Sequence, residues 1–270
     1  TFMDEPVYVN GVPIVQAGWG SDQIGRWDIE YNDETKSVES MKWRCIPIDS
    51  TKCRNDPVLE QVLYSYKNPT EAKYSRVVCR FAKELTHPSR TQETELGNLF
   101  SDLLQVDSSF DLMIYGSGSI RLEKMGPIVQ YQDLLDSSPY DAPIHMLEVT
   151  ADQLRRMITY VFRDEAWTGH TEFYQYSNGM RIVYNRKTHE FEELTLNGED
   201  ISGERIIKIA LQDYHFNNFT DFFNVPIEEV IANRRPRTVI TSVLAIFEEL
   251  LSNSNIVDAN IEGRIVIKDE

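Results

Sequence analysis

Leu112-Met-Ile-Tyr-Gly-Ser-Gly-Ser-Ile-Arg121 is an apolar run that opens into a glycine–serine turn and ends on a guanidinium. Four apolar residues bounded by a turn read as a strand. Glycines allow a tight turn and close approach to a ligand, and an arginine just beyond can grip a phosphate or carboxylate with two parallel hydrogen bonds. A plain surface turn followed by a solvated arginine is the competing reading.

Outward from this strand the pattern alternates between helix and sheet. Upstream, from Thr91, Leu96, Leu99, Phe100, Leu103 and Leu104 lie on one helical stripe. Before that, Ser75 to Leu85 has period two, with Val77, Cys79 and Phe81 on one side, and reads as a strand. Asp56-Pro57 predicts a helix start, because Asp accepts from free N–H groups and Pro fits the first turn. Asn68-Pro69 predicts its stop or a kink. The first fifty residues read as strands and turns, with a hairpin over Val7 to Val15 at Asn10-Gly11 and a strand at Trp27 to Tyr31. Downstream, Thr150 with Gln153 is a capping-box pair that opens a helix with the stripe Leu154, Met157, Ile158, Val161 and Phe162. Residues 172–211 read as a β-meander with turns at Ser177-Asn-Gly179 and Asn197-Gly198, then a helix over Thr238 to Ser252 and a strand over Gly263 to Lys268. Helices flanking a mixed sheet predict an α+β fold.

The chain has 270 residues, 41 % hydrophobic and 26 % charged, which is a globular balance and excludes a disordered chain. With 27 Lys+Arg against 43 Asp+Glu, the net charge of −16 argues against nucleic acid or an anionic membrane as the main partner. The most apolar stretch, Thr238 to Leu251, carries Glu248 and Glu249, so no membrane insertion is expected. Residue 1 is Thr, and the sequence is expected to be a piece of a longer protein. Cys45, Cys53 and Cys79 form no CxxC pair, which excludes zinc-finger and c-type haem readings. Three free thiols are the simpler reading, with a Cys45–Cys53 loop as the alternative in a secreted protein.

Chemistry-bearing motifs are sparse. His170 in Gly169-His-Thr-Glu172 is half of a Gly-His-x-His metal motif, and Asp213-Tyr-His215 imitates the Asp-x-His of binuclear phosphoesterases. Two-metal hydrolysis needs about six ligands around ions roughly 3.5–4 Å apart, and five scattered histidines do not supply them. Both matches read as accidental; a self-contained hydrolase built on His170 or His215 is the least favoured class. There is no Gly-x-Ser-x-Gly elbow and no Walker or Rossmann glycine pattern. Tyr214, Phe216, Phe219, Phe222 and Phe223 offer either core packing or a π face for a base.

In their order these pieces resemble the C-terminal half of the 5′-nucleotidase family. Pro13-Ile-Val-Gln-Ala-Gly18 with Gly25-Arg26 resembles the end of that family's metallophosphatase domain. Glu93-Thr-Glu-Leu-Gly-Asn98, with Asp102, resembles the helix that opens its C-terminal domain. Asp111 to Arg121 resembles its strand and Gly-Gly-Ile-Arg turn, and Val149 to Leu154 with Ile209-Ala210 the later part. The resemblance implies a metallophosphatase remnant over 1–50, a linker helix region over 51–74 and the substrate-binding domain over 75–270. It implies that hydrolysis and two divalent metal ions belong to an N-terminal domain that partners this one, with no catalytic residue, metal or cofactor held here. The ligand would be a nucleotide or nucleotide-sugar, and the setting extracytoplasmic.

The resemblance also assigns residues. Arg121 matches the arginine after Gly-Gly-Ile, and Arg90 a second phosphate-binding arginine; the third falls at Thr86, beside His87. Tyr140 in Ser138-Pro-Tyr-Asp141 and Tyr214 match two base-stacking phenylalanines. Ala142 replaces an Asn that contacts the base, and Asp221 in Asn218-Phe-Thr-Asp-Phe222 stands for a ribose-binding Asp. These departures imply an altered substrate. They also favour a rival reading, a non-catalytic nucleotide- or sugar-binding or interaction module on the same scaffold.

Overall fold

The structure is a computed structural model, and it describes residues 2–18, 20–105, 109–168 and 171–269. The chain divides into two compact units, Thr1–Thr70 and Glu71–Glu270. In chain order the elements are β1 (Val7–Val9), β2 (Val12–Ile14), β3 (Gln23–Asn32), β4 (Ser37–Pro47), α1 (Pro57–Tyr74), β5 (Val77–Arg80), β6 (Leu85–Thr86) and α2 (Glu95–Leu104). Then come β7 (Leu112–Gly116), β8 (Lys124–Met125), β9 (Ile128–Gln130), α3 (Tyr131–Ser137), β10 (Ile144–Thr150), α4 (Ala151–Val161), β11 (Tyr174–Tyr176), β12 (Met180–Asn185) and β13 (Glu190–Leu196). The remainder is β14 (Glu199–Asp200), β15 (Ile206–Gln212), α5 (Asp213–Asn217), α6 (Phe219–Phe223), α7 (Ile227–Asn233), β16 (Arg237–Ile240), α8 (Val243–Ser252) and β17 (Ile265–Lys268). The fold is α+β.

The first unit consists of two hairpins and most of α1. β1 pairs β2 across the Asn10-Gly11 turn, where both residues have positive φ, as the tight hairpin requires. β3 pairs β4, a strand the sequence reading did not separate from the turns around it. Trp43 packs over Gly25, where a Cβ would come 2.1 Å from its ring. Much of this unit's apolar surface is open to solvent: Val7, Tyr8, Val9, Val12 and Ile24 are exposed, and α1 buries no residue. α1 runs past Asn68-Pro69 to Tyr74 instead of stopping. Pro69 removes one rung of the ladder, and the Thr70 hydroxyl donates to the carbonyls of Tyr66 (3.1 Å) and Lys67 (2.9 Å) just below the break.

The second unit is built on a five-stranded sheet in the order β11-β7-β15-β10-β16. β7 is parallel to β15 and antiparallel to β11, and β10 is antiparallel to both β15 and β16. The continuous apolar run of β7 is explained by its central place. Leu112 and Ile114 join a core with α4 and the second sheet, whereas Met113 and Tyr115 join a core under α2 and α8. The second sheet has the order β14-β13-β12-β17, with β17 parallel to β12.

Residues 172–211 are therefore not one meander. β11 and β15 belong to the central sheet, and β12–β14 to the other. Ser177-Asn-Gly179 hands the chain from sheet to sheet. Ser177 still binds β7, its N–H donating to the Met113 carbonyl (3.0 Å) and its hydroxyl accepting from the Met113 N–H (2.9 Å). Thr238 to Ile240, read as helix, forms β16 instead, where β-branched residues pair with β10; Ser242 then caps α8 through the Ala245 N–H at 3.0 Å. The capping box of α4 is formed as expected, with Thr150 accepting from the Gln153 N–H at 3.1 Å and Gln153 accepting from the Thr150 N–H at 2.8 Å. α2 starts at Glu95 because the Thr94 hydroxyl caps it.

Candidate functional site

A cleft of about 580 Å³ opens where β7 and β15 end, side by side. Its floor is the turn after β7. The Gly116 N–H and Ser119 hydroxyl both donate to Gln212 Oε1, each at 3.0 Å, which ties the turn to the end of β15. Neither Gly116 nor Gly118 has a left-handed φ, so the backbone path itself does not need glycine. Space does: a Cβ at Gly116 would lie 2.2 Å from Cε1 of His215.

Two guanidinium groups flank Gly118. A Cβ there would lie 3.4 Å from Nη1 of Arg90 and 3.6 Å from Oε2 of Glu172. Arg121 donates to the Gly118 carbonyl and to the Tyr140 hydroxyl, both at 3.2 Å, and its guanidinium stands 5.6 Å from the Tyr140 ring centre. Its backbone N–H donates to the Ser137 carbonyl at 2.8 Å, so the end of α3 fixes where Arg121 emerges. Arg90 forms no ion pair among the described residues and is exposed at the cleft wall. It follows His87, which is buried: His87 Nε2 donates to the Ser117 carbonyl at 3.1 Å, and its Nδ1 faces the Thr94 hydroxyl at 2.8 Å. Burial pushes the His87 imidazole down to about 4, with the Arg90 charge acting the same way. Thr86 is committed to structure, since its N–H and hydroxyl both donate to Glu95 Oε2 at 3.0 Å.

The aromatic walls come from two loops. Tyr140 is 55 % exposed and Tyr214 57 %, enough for each to present its ring to a ligand. The Tyr140 loop is pinned by Asp141, which accepts from the Leu244 N–H (3.1 Å) and the Ser242 hydroxyl (2.9 Å) at the start of α8. Tyr214 lies in the first turn of α5, whose first residue Asp213 pairs with His145 at 2.8 Å.

Four of the five residues singled out in the sequence, Arg90, Arg121, Tyr140 and Tyr214, thus line one cleft, together with Ala142. The fifth, Asp221, is exposed on α6 and is not among the lining residues. Phe219 and Phe223 are core, not cleft. Two further lining residues, Glu172 and His215, come from the motifs that read as chance matches in the sequence. His215 is 1 % exposed, and its Nε2 lies 3.5 Å from Glu172 Oε2. That contact holds the Glu172 carboxyl below the usual carboxylate range, with the charges of His215, Arg90 and Arg121 adding to it against the cost of burial. His170 lies outside the described residues. Among the described residues no three His, Cys, Asp or Glu side chains converge to hold a metal ion.

The family description "5′-nucleotidase, C-terminal domain" matches residues 72–225, more than half the chain and all of the cleft. The chain belongs to the 5′-nucleotidase C-terminal domain family. Part of it is similar to Endonuclease YhcR of Bacillus subtilis (strain 168), 30 % identical over 152 residues, covering 56 % of this chain and 12 % of that protein. Among solved structures, a 5′-nucleotidase precursor from Thermus thermophilus superposes with a TM-score of 0.74 at 17 % identity, over 98 % of this chain and 54 % of that one. The sulfate thiohydrolase SoxB of the same organism, in complex with glycerol, superposes with a TM-score of 0.64 at 12 % identity, over 98 % of this chain and 48 % of that one. The chain thus spans about half the length of these structures. A 5′-nucleotidase precursor and a sulfate thiohydrolase share this scaffold, so the fold does not fix the substrate, which has to be argued from the cleft.

Proposed function

We propose that this domain recognises the nucleotide for a 5′-nucleotidase-type phosphohydrolase, with hydrolysis and its two divalent ions on a separate domain of the same protein. The observation that carries this is the convergence of Arg90, Arg121, Tyr140 and Tyr214 on one cleft from four separate stretches of chain. The guanidinium groups hold phosphate charge, and the tyrosines face a base or sugar ring. A nucleotide-sugar fits the same description. The net charge of −16 favours a small nucleotide over a polynucleotide, although the similar Bacillus subtilis protein is named an endonuclease. The exposed apolar residues of the first unit and of α1 are the surface we assign to the catalytic domain. We assign the protein to an extracytoplasmic setting, on family grounds; among the described residues no helix is long and apolar enough to cross a membrane.

Calorimetry with AMP, UMP and UDP-glucose tests the reading: at least one binds, and Arg121→Ala weakens it. No binding of any ligand overturns it. Phosphate release from AMP by the 270-residue chain with added Mn²⁺ or Zn²⁺ would overturn the assignment of hydrolysis to another domain. A non-catalytic binding module is the second reading, favoured by Ala142 in the cleft wall and by Thr86 spent on Glu95. A metallophosphatase domain without its metal ligands, in the gene upstream, would establish that reading.

A further inference from the structure

Glu172 and His215 line the same cleft as the two guanidinium groups. A carboxylate beside two guanidinium groups opposes a bare anion, yet Glu172 is not consumed by them. Among the described residues neither Arg90 nor Arg121 comes within 4 Å of it as an ion pair, although Arg90 Nη1 and Glu172 Oε2 flank the same Gly118 position at 3.4 and 3.6 Å. The space between them is open because residue 118 has no side chain. Glu172 keeps about a third of its side chain exposed, at 31 %, and lines the cleft. One of its oxygens faces buried His215 Nε2 at 3.5 Å, which fixes the carboxylate without exhausting its acceptor capacity. His215 in turn is seated by the missing side chain of Gly116 and packs against Tyr174 and Tyr214 at centroid distances of 5.1 and 5.4 Å.

A carboxylate accepts hydrogen bonds and donates none. Resting on the nucleotide reading above, we propose that Glu172, positioned by His215, is a specificity-determining residue that requires hydrogen-bond donors on the ligand next to its phosphate. A nucleotide carries such donors on its ribose hydroxyls and on the N–H groups of its base, of which the guanine edge offers two side by side. Glu172 shares the Gly118 position with Arg90 and contacts His215, which packs on Tyr214. The sugar of a nucleotide lies between phosphate and base, so the ribose hydroxyls are the expected source. The same placement predicts discrimination against anions that bring charge and no donor.

The test is calorimetry on the 270-residue chain and on Glu172→Ala, with AMP, 2′,3′-dideoxy-AMP and GMP. Hydrogen bonds to a charged group set the scale at about tenfold or more in affinity. In the wild type, loss of the hydroxyls weakens binding about tenfold, and in Glu172→Ala the two ligands bind alike. A GMP preference that vanishes in the variant supports the proposal with the base as the source. Equal ligand ratios in wild type and variant overturn it while leaving the nucleotide reading intact. Absence of binding by all three to the wild type removes both. Glu172→Gln, of the same size but with one acceptor turned donor, gives the same comparison if the alanine variant unfolds.

Discussion

His215 occupies the volume that a side chain on Gly116 would need. A Cβ at residue 116 would sit 2.2 Å from Cε1 and 2.7 Å from Nε2 of this imidazole. Gly116 at the end of β7 and His215 in α5, the helix that follows β15, therefore constrain each other, across two strands paired in parallel. Gly116→Ala should displace His215 and loosen Glu172. Overpacking of this kind costs about 1–3 kcal/mol, read as a lowered urea midpoint with weaker AMP binding. An unchanged midpoint and affinity would show that the imidazole relocates freely.

Tyr140 and Tyr214 are more than half exposed and support no core. Each alanine substitution should leave stability within about 0.5 kcal/mol. Loss of a stacking face should weaken nucleotide binding by about 1–3 kcal/mol. Tyr140→Phe keeps the ring but removes the hydroxyl that accepts from Arg121 at 3.2 Å, so it should cost less than Tyr140→Ala. Parallel urea titrations and calorimetry separate the two effects. Unaltered affinity in both alanine variants would refute a stacking role for the two rings.

What was legible in the sequence was mostly local. Thr150 and Gln153 are three residues apart and cap each other wherever the helix packs. The Asn10-Gly11 hairpin needs only its own positive φ values. Sheet membership is not local: Tyr174 to Tyr176 looks like the first strand of a meander, but its partner is β7, far upstream in the chain. Of the cleft, Arg121 was visible because it follows a strand and a turn. Glu172 and His215 looked accidental because each was weighed against a metal motif. Their significance lies in a contact with each other that no spacing encodes.

His87 gives a pH signature. Its folded value is about 4 against the ordinary 6.5, because burial disfavours the charged ring. A depressed value means the neutral form is the one the fold holds. The stabilisation is complete above pH 6.5 and is lost as pH falls towards 4, amounting to about 3 kcal/mol at about 1.4 kcal/mol per pH unit. His87→Gln should flatten the fall in urea stability between about pH 7.5 and 4.5 relative to wild type. The difference between the two proteins is the readout, since carboxylates such as Glu172 and Glu95, held low in the fold, also lose stabilisation as pH drops. Parallel curves for the two proteins would rule His87 out.

Cysteine reactivity should follow burial. Cys79 is buried and its thiol is pushed up to about 11 by that burial, whereas Cys53 is exposed. Iodoacetamide at about pH 8 should label Cys53 and spare Cys79 until the protein unfolds. Mass spectrometry after brief labelling checks this. Rapid labelling of Cys79 would mean that β5 opens readily.

Arg264 is the most heavily bonded charge among the described residues of the second unit. Only 4 % exposed, it donates to Asp102 through both Nη1 (2.7 Å) and Nη2 (2.6 Å), to Glu262 through Nε (3.0 Å) and Nη2 (2.7 Å), and to the Tyr176 carbonyl (2.9 Å). It thereby joins α2, the end of β11 and the approach to β17. Removing one partner of a buried pair costs about 3–5 kcal/mol, because the remaining charge is stranded. Asp102 is 39 % exposed, which reduces the penalty, so Asp102→Ala should cost about 2–3 kcal/mol. Asp102 also accepts from the Asn178 N–H at 2.7 Å, at the turn that changes sheets, so the loss should loosen that crossing as well. Glu262 is 51 % exposed and, among the described residues, forms no hydrogen bond to that turn, so Glu262→Ala should cost less. Urea unfolding ranks the two variants. If Glu262→Ala proved the more damaging, the anchor would be the β17 side of the network and not α2.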